Sequence, residues 1–363
     1  ARMALSILLS ALRAVGKSCV AALAGGLAIR AGLVGAEAVE DISRLTGKLL
    51  LPCFLLSSLS AQVTASKLAA MWVLPLFAVG NLALGLALGK ALSAMLGQRG
   101  DKSRSIIMAC CTFGNTAALP LALIEPILSS HPSFYGGQSV EAAQRLSITY
   151  VSVFSIFNKV GIWTIGRALI EETPSPSAPV LCRTMMKKPH SLAKTMMKEP
   201  ATMSCALGLL IALGPVKAWF YGGEAPLGFL MEGVDFLGDA TLPMLMVVLG
   251  ASLAKGPDAS GVGVEVVAAV AAGRLLVMPC LGSVAVFLAF RRCPSAFDPV
   301  MLLVLLLQTC MPSAESLALL AQMRGGQVAK DMSALLFYQY LVSPLTISIA
   351  ASLALAFISH QNF

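Results

Sequence analysis

Two prolines stand inside long apolar runs at matching places in the two halves of this chain. One is Pro120, in Gly114-Asn115-Thr116-Ala117-Ala118-Leu119-Pro120; the other is Pro312, in Gln308-Thr309-Cys310-Met311-Pro312-Ser313. A proline within a helix removes a backbone donor and clashes with the turn before it. Lipid supplies nothing to satisfy the groups so freed, so such a break at bilayer depth must be covered by protein or by a wet cavity.

The runs themselves demand a membrane. The chain has 363 residues, 57% of them hydrophobic and 12% charged, about half the charged fraction of an ordinary soluble domain. Ten apolar runs reach or approach the ~20 residues a spanning helix needs: 12–30, 42–61, 68–96, 105–128, 146–169, 202–221, 227–254, 262–290, 300–322 and 332–358. They are continuous, without the alternation of a transmembrane barrel. The net charge of +8 reflects basic residues placed mostly between runs, as membrane orientation requires, and does not point to nucleic acid. The nine cysteines lie scattered without metal-ligand spacing and read as small core residues. The chain begins at Ala1 rather than at a methionine, which leaves open a missing start or targeting segment; no cleavable signal pattern is evident.

The longest polar stretch, 171–199, holds four prolines and a cluster of Lys and Arg, and reads as a cytoplasmic linker. It separates a first five-helix repeat, 1–170, from a second, 200–363. Pro52 and Pro243 lie 191 residues apart and Pro120 and Pro312 lie 192 apart, so two landmarks share nearly one offset, as an internal repeat requires. Five spans per half force the second half to insert inverted, the plan of many secondary transporters, whose binding sites lie at paired helix interruptions. The expected fold is therefore an all-α membrane protein with ten transmembrane helices in two inverted five-helix repeats. The distribution of Lys and Arg places both termini on the non-cytoplasmic side.

Ordered motifs along the whole chain resemble the auxin efflux carrier family, in its PIN-likes branch. They include Leu51-Pro52-Cys53-Phe54, Met71-Trp72-Val73-Leu74-Pro75, Gly114 to Leu121, Lys198-Glu199-Pro200-Ala201-Thr202, Leu237 to Pro243, Gly273-Arg274-Leu275 with Pro279, and Gln308-x-x-x-Pro312-x-Ala314. Ala118 stands where many relatives have a second Asn, Glu199 and Ala201 replace Asn and Pro, and Glu315 takes a usually apolar position. The resemblance implies a scaffold of spans 1, 2, 6 and 7, and a transport domain of spans 3, 4, 5, 8, 9 and 10 with broken, crossing helices four and nine. It further implies elevator-type alternating access for an organic anion such as auxin (indole-3-acetic acid), in the endoplasmic reticulum membrane, with the plasma membrane the alternative. A homodimer is left open.

A helix broken at the midplane offers unpaired N–H groups and a positive dipole end to a carboxylate. Asn115, Thr116 and Pro120 at the first break, and Gln308, Thr309, Pro312 and Ser313 at the second, are the expected substrate-binding residues. Leu119, Leu121, Met311 and Leu317 could wall an apolar body. The competing reading is that Asn115 and Gln308 only mend the broken backbone. Glu315 and Glu125 are candidate coupling carboxylates, against a snorkelling role near a span end; Lys159 and Arg274 are candidate charge partners, against structural ion pairs. Pro52 and Pro243 read as scaffold kinks. Asp239 follows Gly238 as in intramembrane aspartyl proteases, but no second Asp lies in the body of another run. No catalytic or phosphate-binding motif occurs, so neither an enzyme nor a cofactor nor a metal is expected. The alternatives are a sodium-coupled symporter resembling the bile-acid carriers and a ligand-binding receptor that moves nothing.

Overall fold

The structure is a computed structural model that describes residues 20–65, 69, 71–129, 139–171, 200–222, 225–254, 260–324 and 326–359. Every regular element among these residues is helical. Five helices are long and apolar enough to cross a membrane: Glu37–Ala61, Val73–Met95, Val140–Ile170, Val264–Arg292 and Gln327–Ser359. They coincide with the second, third, fifth, eighth and tenth apolar runs. At 1.5 Å per residue even the shortest rises about 35 Å, beyond the ~30 Å hydrocarbon core. The 172–199 part of the expected linker and residues 12–19 of the first run lie outside the described residues.

The remaining runs form shorter pieces. In chain order the principal helices are α1 (Val20–Arg30), α2 (Ala36–Leu45), α3 (Leu51–Gln62), α4 (Val73–Met95), α5 (Arg104–Thr112), α6 (Ala118–Ser129), α7 (Val140–Gly161), α8 (Pro200–Leu213), α9 (Gly228–Asp239), α10 (Thr241–Ala254), α11 (Val264–Ala272), α12 (Met278–Arg292), α13 (Pro299–Cys310), α14 (Ser316–Arg324) and α15 (Gly326–Ser359). The fourth run is thus α5 and α6 with an irregular segment between, and the ninth is α13 and α14 with another.

Prolines explain two local departures from α geometry. A π-helical turn, Thr46–Leu50, joins α2 to α3 just before Pro52, and another, Gly273–Val277, joins α11 to α12 just before Pro279. A proline cannot donate to the carbonyl four residues back and its ring collides with it; widening the preceding turn relieves that clash. At Pro243 the helix is interrupted instead, with Ala240 separating α9 from α10.

The packing places the interrupted segments innermost. Every residue of α13 from Val300 to Cys310 is buried. A helix that is apolar all round and buried all round belongs to a core. α13 lies against α7, α12 and α15, and α14 continues along α15. α5 packs on α4, where Gly85 and Gly89 bring the two backbones close: a Cβ at Gly89 would stand 2.7 Å from the Met108 Cα. Small residues at such spacing let membrane helices approach. α3 packs against α8 and α9, and α2 and α1 lie against α10. Large apolar side chains point outward instead from α4, α9, α12 and α15, among them Leu76, Phe236, Leu288 and Leu353. So much exposed apolar surface suits lipid rather than water.

Candidate functional site

The two interruptions meet. Residues 113–117 and 311–315 leave helical geometry, and Gly114 pairs with Ser313 in an isolated antiparallel bridge. Asn115 N donates to Pro312 O (2.8 Å) and Ala314 N donates to Phe113 O (2.8 Å). Each break therefore supplies backbone partners that the other lacks, which is how irregular backbone can persist away from water.

Side chains from five further positions satisfy what the bridge leaves. Asn158 of α7 donates through Nδ2 to Gly114 O (2.9 Å), and Ser155, one turn earlier, donates to Thr116 O. Gln308, in the last turn of α13, donates through Nε2 to the same Thr116 O (3.0 Å). From the last helix, Gln339 Oε1 accepts from Ser313 N (3.1 Å), and Tyr340 donates its hydroxyl to Ser313 O (3.1 Å). The Ser313 hydroxyl reaches back to Cys110 O (2.6 Å).

Arg274 sits at the centre of this arrangement, on the π turn between α11 and α12 and fully buried. Its Nε donates to Met311 O (2.8 Å) and its Nη1 to Cys111 O (3.0 Å). Both carbonyls lie where a helix ends, so the guanidinium lies at the negative ends of α5 and α13. Nη2 has no partner among the described residues and lies over Gly114 so closely that a Cβ there would fall on the guanidinium.

Asn115 is the residue at which the breaks turn from mending themselves to presenting polar groups. Its Oδ1 faces Leu119 N (3.5 Å) at the start of α6; its Nδ2 donates to Tyr340 Oη (2.8 Å) and toward Glu315 Oε1 (3.4 Å). Thus an amide, a phenol and a carboxylate converge between the N-terminal ends of α6 and α14, where the helix dipoles favour negative charge.

A family model described as membrane transport protein matches residues 11–351. The chain belongs to this membrane transport protein family. It is related to the auxin efflux carriers, as the motifs implied. It is similar to Protein PIN-LIKES 1 of Arabidopsis thaliana, 25% identical over 341 residues, covering 86% of this chain and 71% of that one. It matches Protein PIN-LIKES 7 of the same plant at 24% identity, covering 90% and 92% of the two chains. Protein PIN-LIKES 2 is 36% identical over 151 residues, covering 41% of this chain and 33% of that one.

Within this member of the membrane transport protein family, the candidate residues fall in distinct places. Asn115, Thr116, Pro312 and Ser313 lie in the breaks, and Gln308 and Thr309 in the helical turn before the second; all are buried. Pro120 lies beyond its break, as the third residue of α6, and the chain leaves helical geometry at Phe113 instead. In the first turn of a helix a proline's missing N–H costs no hydrogen bond, so Pro120 helps start α6 and does not itself break the run. Glu315 stands half-buried at the end of the second break. Glu125 is exposed further along α6, and Lys159 is half-buried beside Asn158 on α7. Arg274 is bonded to carbonyls rather than to a carboxylate. A groove of about 460 Å³ between α3, α8 and α9 is lined wholly by apolar groups such as Leu56, Leu207 and Met231, and lies apart from this polar centre.

Tyr340, Gln339, Asn158 and Ser155 were not among the candidates. The available signal was polarity at depth: Gln339-Tyr340 interrupts an otherwise apolar stretch of the last run, and Asn158 does the same in the fifth.

Proposed function

We propose that this chain is a secondary or potential-driven carrier that moves an amphipathic organic anion, auxin (indole-3-acetic acid) or a similar carboxylate, across a membrane. The observation that carries the reading is the pairing of two helix interruptions around Asn115. An anion there meets an amide donor and two helix N-terminal ends, with apolar groups such as Leu119 and Leu317 close in sequence. The names of the relatives, PIN-LIKES and an uncharacterized transporter of Saccharomyces cerevisiae, agree with a carrier.

In this reading the ten apolar runs are ten spans in two inverted repeats, 1–170 and 200–363, joined by the cytoplasmic linker 171–199. Helices four and nine cross at the bridge. Spans 1, 2, 6 and 7 are the scaffold, which the packing of α1, α2, α3, α8, α9 and α10 supports. The remaining spans move against it as an elevator, with both termini non-cytoplasmic and the protein in the endoplasmic reticulum membrane. Asn115, with Thr116, Thr309 and Ser313, holds the carboxylate; Gln308 and Arg274 hold the breaks in shape.

The test is uptake of radiolabelled indole-3-acetate into vesicles containing the purified protein, with pH and sodium varied separately. Flux above that of protein-free vesicles is expected, and Asn115→Ala should lower it at least tenfold without loss of folded protein. Wild-type flux in the variant would refute the placement of the anion. One observation favours a sodium-coupled version: Gln308 Oε1 is a buried oxygen without a donor among the described residues, and hard cations take such ligands. Sodium-dependent uptake would support it.

A further inference from the structure

Glu315 occupies the place that the carrier reading assigns to a substrate carboxylate. Its Oε1 faces Asn115 Nδ2, and the second hydrogen of that amide is spent on Tyr340. An ionised Glu315 therefore satisfies the amide itself. An incoming carboxylate must take over the longer of Asn115's two bonds, the one to Glu315, and must then sit beside Glu315 at membrane depth. Two carboxylates sharing one site do not both stay ionised; one proton is held between them.

No nearby cation among the described residues removes that constraint. Among the described residues no basic side chain lies within ion-pair distance of Glu315. From α15 the group facing it is the Tyr340 phenol, and from the first break the neutral Asn115. Arg274 is committed to Met311 O and Cys111 O, with the thiols of Cys110, Cys111 and Cys310 around it. The segment Arg167–Glu171, which packs against α14, carries Arg167 and Glu171, and the acid of α6, Glu125, is exposed. Glu315 itself is half-buried.

We propose that Glu315 is the proton carrier of the transport cycle. The anion enters with Glu315 protonated. After its release the carboxyl gives up the proton on the far side, and the site returns with Glu315 ionised. The loaded and the returning forms then bear the same single negative charge, so one proton crosses with each anion and no net charge moves. This rests on the carrier reading above.

The experiment uses the full-length protein in sealed vesicles at pH 7.5 on both sides, in sodium-free potassium buffer, with labelled indole-3-acetate as the probe and protein-free vesicles subtracted. Exchange of label against unlabelled probe comes first: no exchange overturns the carrier reading itself. A valinomycin-clamped potential of about 60 mV, inside positive, is then imposed. Wild-type protein should show no accumulation. Glu315→Gln, which cannot cycle a proton, should accumulate the anion about tenfold, because ~59 mV is worth a factor of ten for one charge. Tenfold accumulation by the wild type overturns the coupling, as does a Glu315→Gln variant that exchanges yet does not accumulate. Should the variant fail to exchange, the wild-type response to potential alone decides the matter, since an uncoupled anion carrier must follow the potential.

Discussion

Gly114→Ala should be among the most damaging single-methyl additions this chain can suffer. The new Cβ would fall on the Arg274 guanidinium, which is fully buried. Two responses exist. The guanidinium can withdraw, giving up its bonds to Met311 O and Cys111 O; hydrogen bonds from a charged donor are worth about 1.5–3 kcal/mol each. Alternatively, the two breaks can separate, losing Asn115 N to Pro312 O and Ala314 N to Phe113 O and stranding buried backbone groups at about 1–3 kcal/mol each. Either route costs about 3 kcal/mol or more, a fall in Tm of roughly 5 °C for a protein of this size. Thermal unfolding of the purified protein in detergent measures it. Removing the guanidinium first separates this steric account from others: in an Arg274→Met background, Gly114→Ala should add less than about 1 kcal/mol, because coupled sites are non-additive. A Gly114→Ala protein with wild-type Tm would refute the reasoning.

Pro120→Ala should lower Tm by no more than about 2 °C, since the ring sits in the first turn of α6 and its loss acts mainly through the unfolded chain, at about 0.4–1 kcal/mol. Asp298→Ala should destabilise by about 2 kcal/mol in the same assay: the carboxylate caps α13 through Met301 N (2.9 Å) and also accepts from the Tyr150 hydroxyl. Among the cysteines, Cys293, exposed beside Pro294, should react readily with a water-soluble maleimide, whereas the buried Cys110, Cys111 and Cys310 should react only after denaturation.

The sequence disclosed the parts of this centre that depend on local chemistry. Asn115, Thr116, Gln308 and Ser313 stood out because each is polar within an apolar run, and Pro312 marked the second break because a proline cannot continue a helix there. The first break was displaced from Pro120 because the same residue is tolerated in a helix's opening turn; Gly114, required by a side chain 160 residues away in sequence, was the better marker. Long-range partners were the least legible. Tyr340 and Asn158 differ from ordinary polar residues of membrane helices only in what they face, and that is fixed by packing. Arg274 was readable as a buried charge, but not as a ligand of carbonyls, since its partners exist only once α5 and α13 end beside it.

The bridge also sets a schedule for biogenesis. A ribosome delivers Asn115 and its partner Glu315 200 residues apart, roughly 10–40 s at ordinary elongation rates. Throughout that interval the amide of Asn115 and the carbonyl of Phe113 lack their mates, and the translocon, water or a chaperone must shelter them. The amino-terminal half thus enters the bilayer with an open seam that only the carboxy-terminal half can close, and quality control has a natural moment to inspect the nascent molecule before the seam is shut.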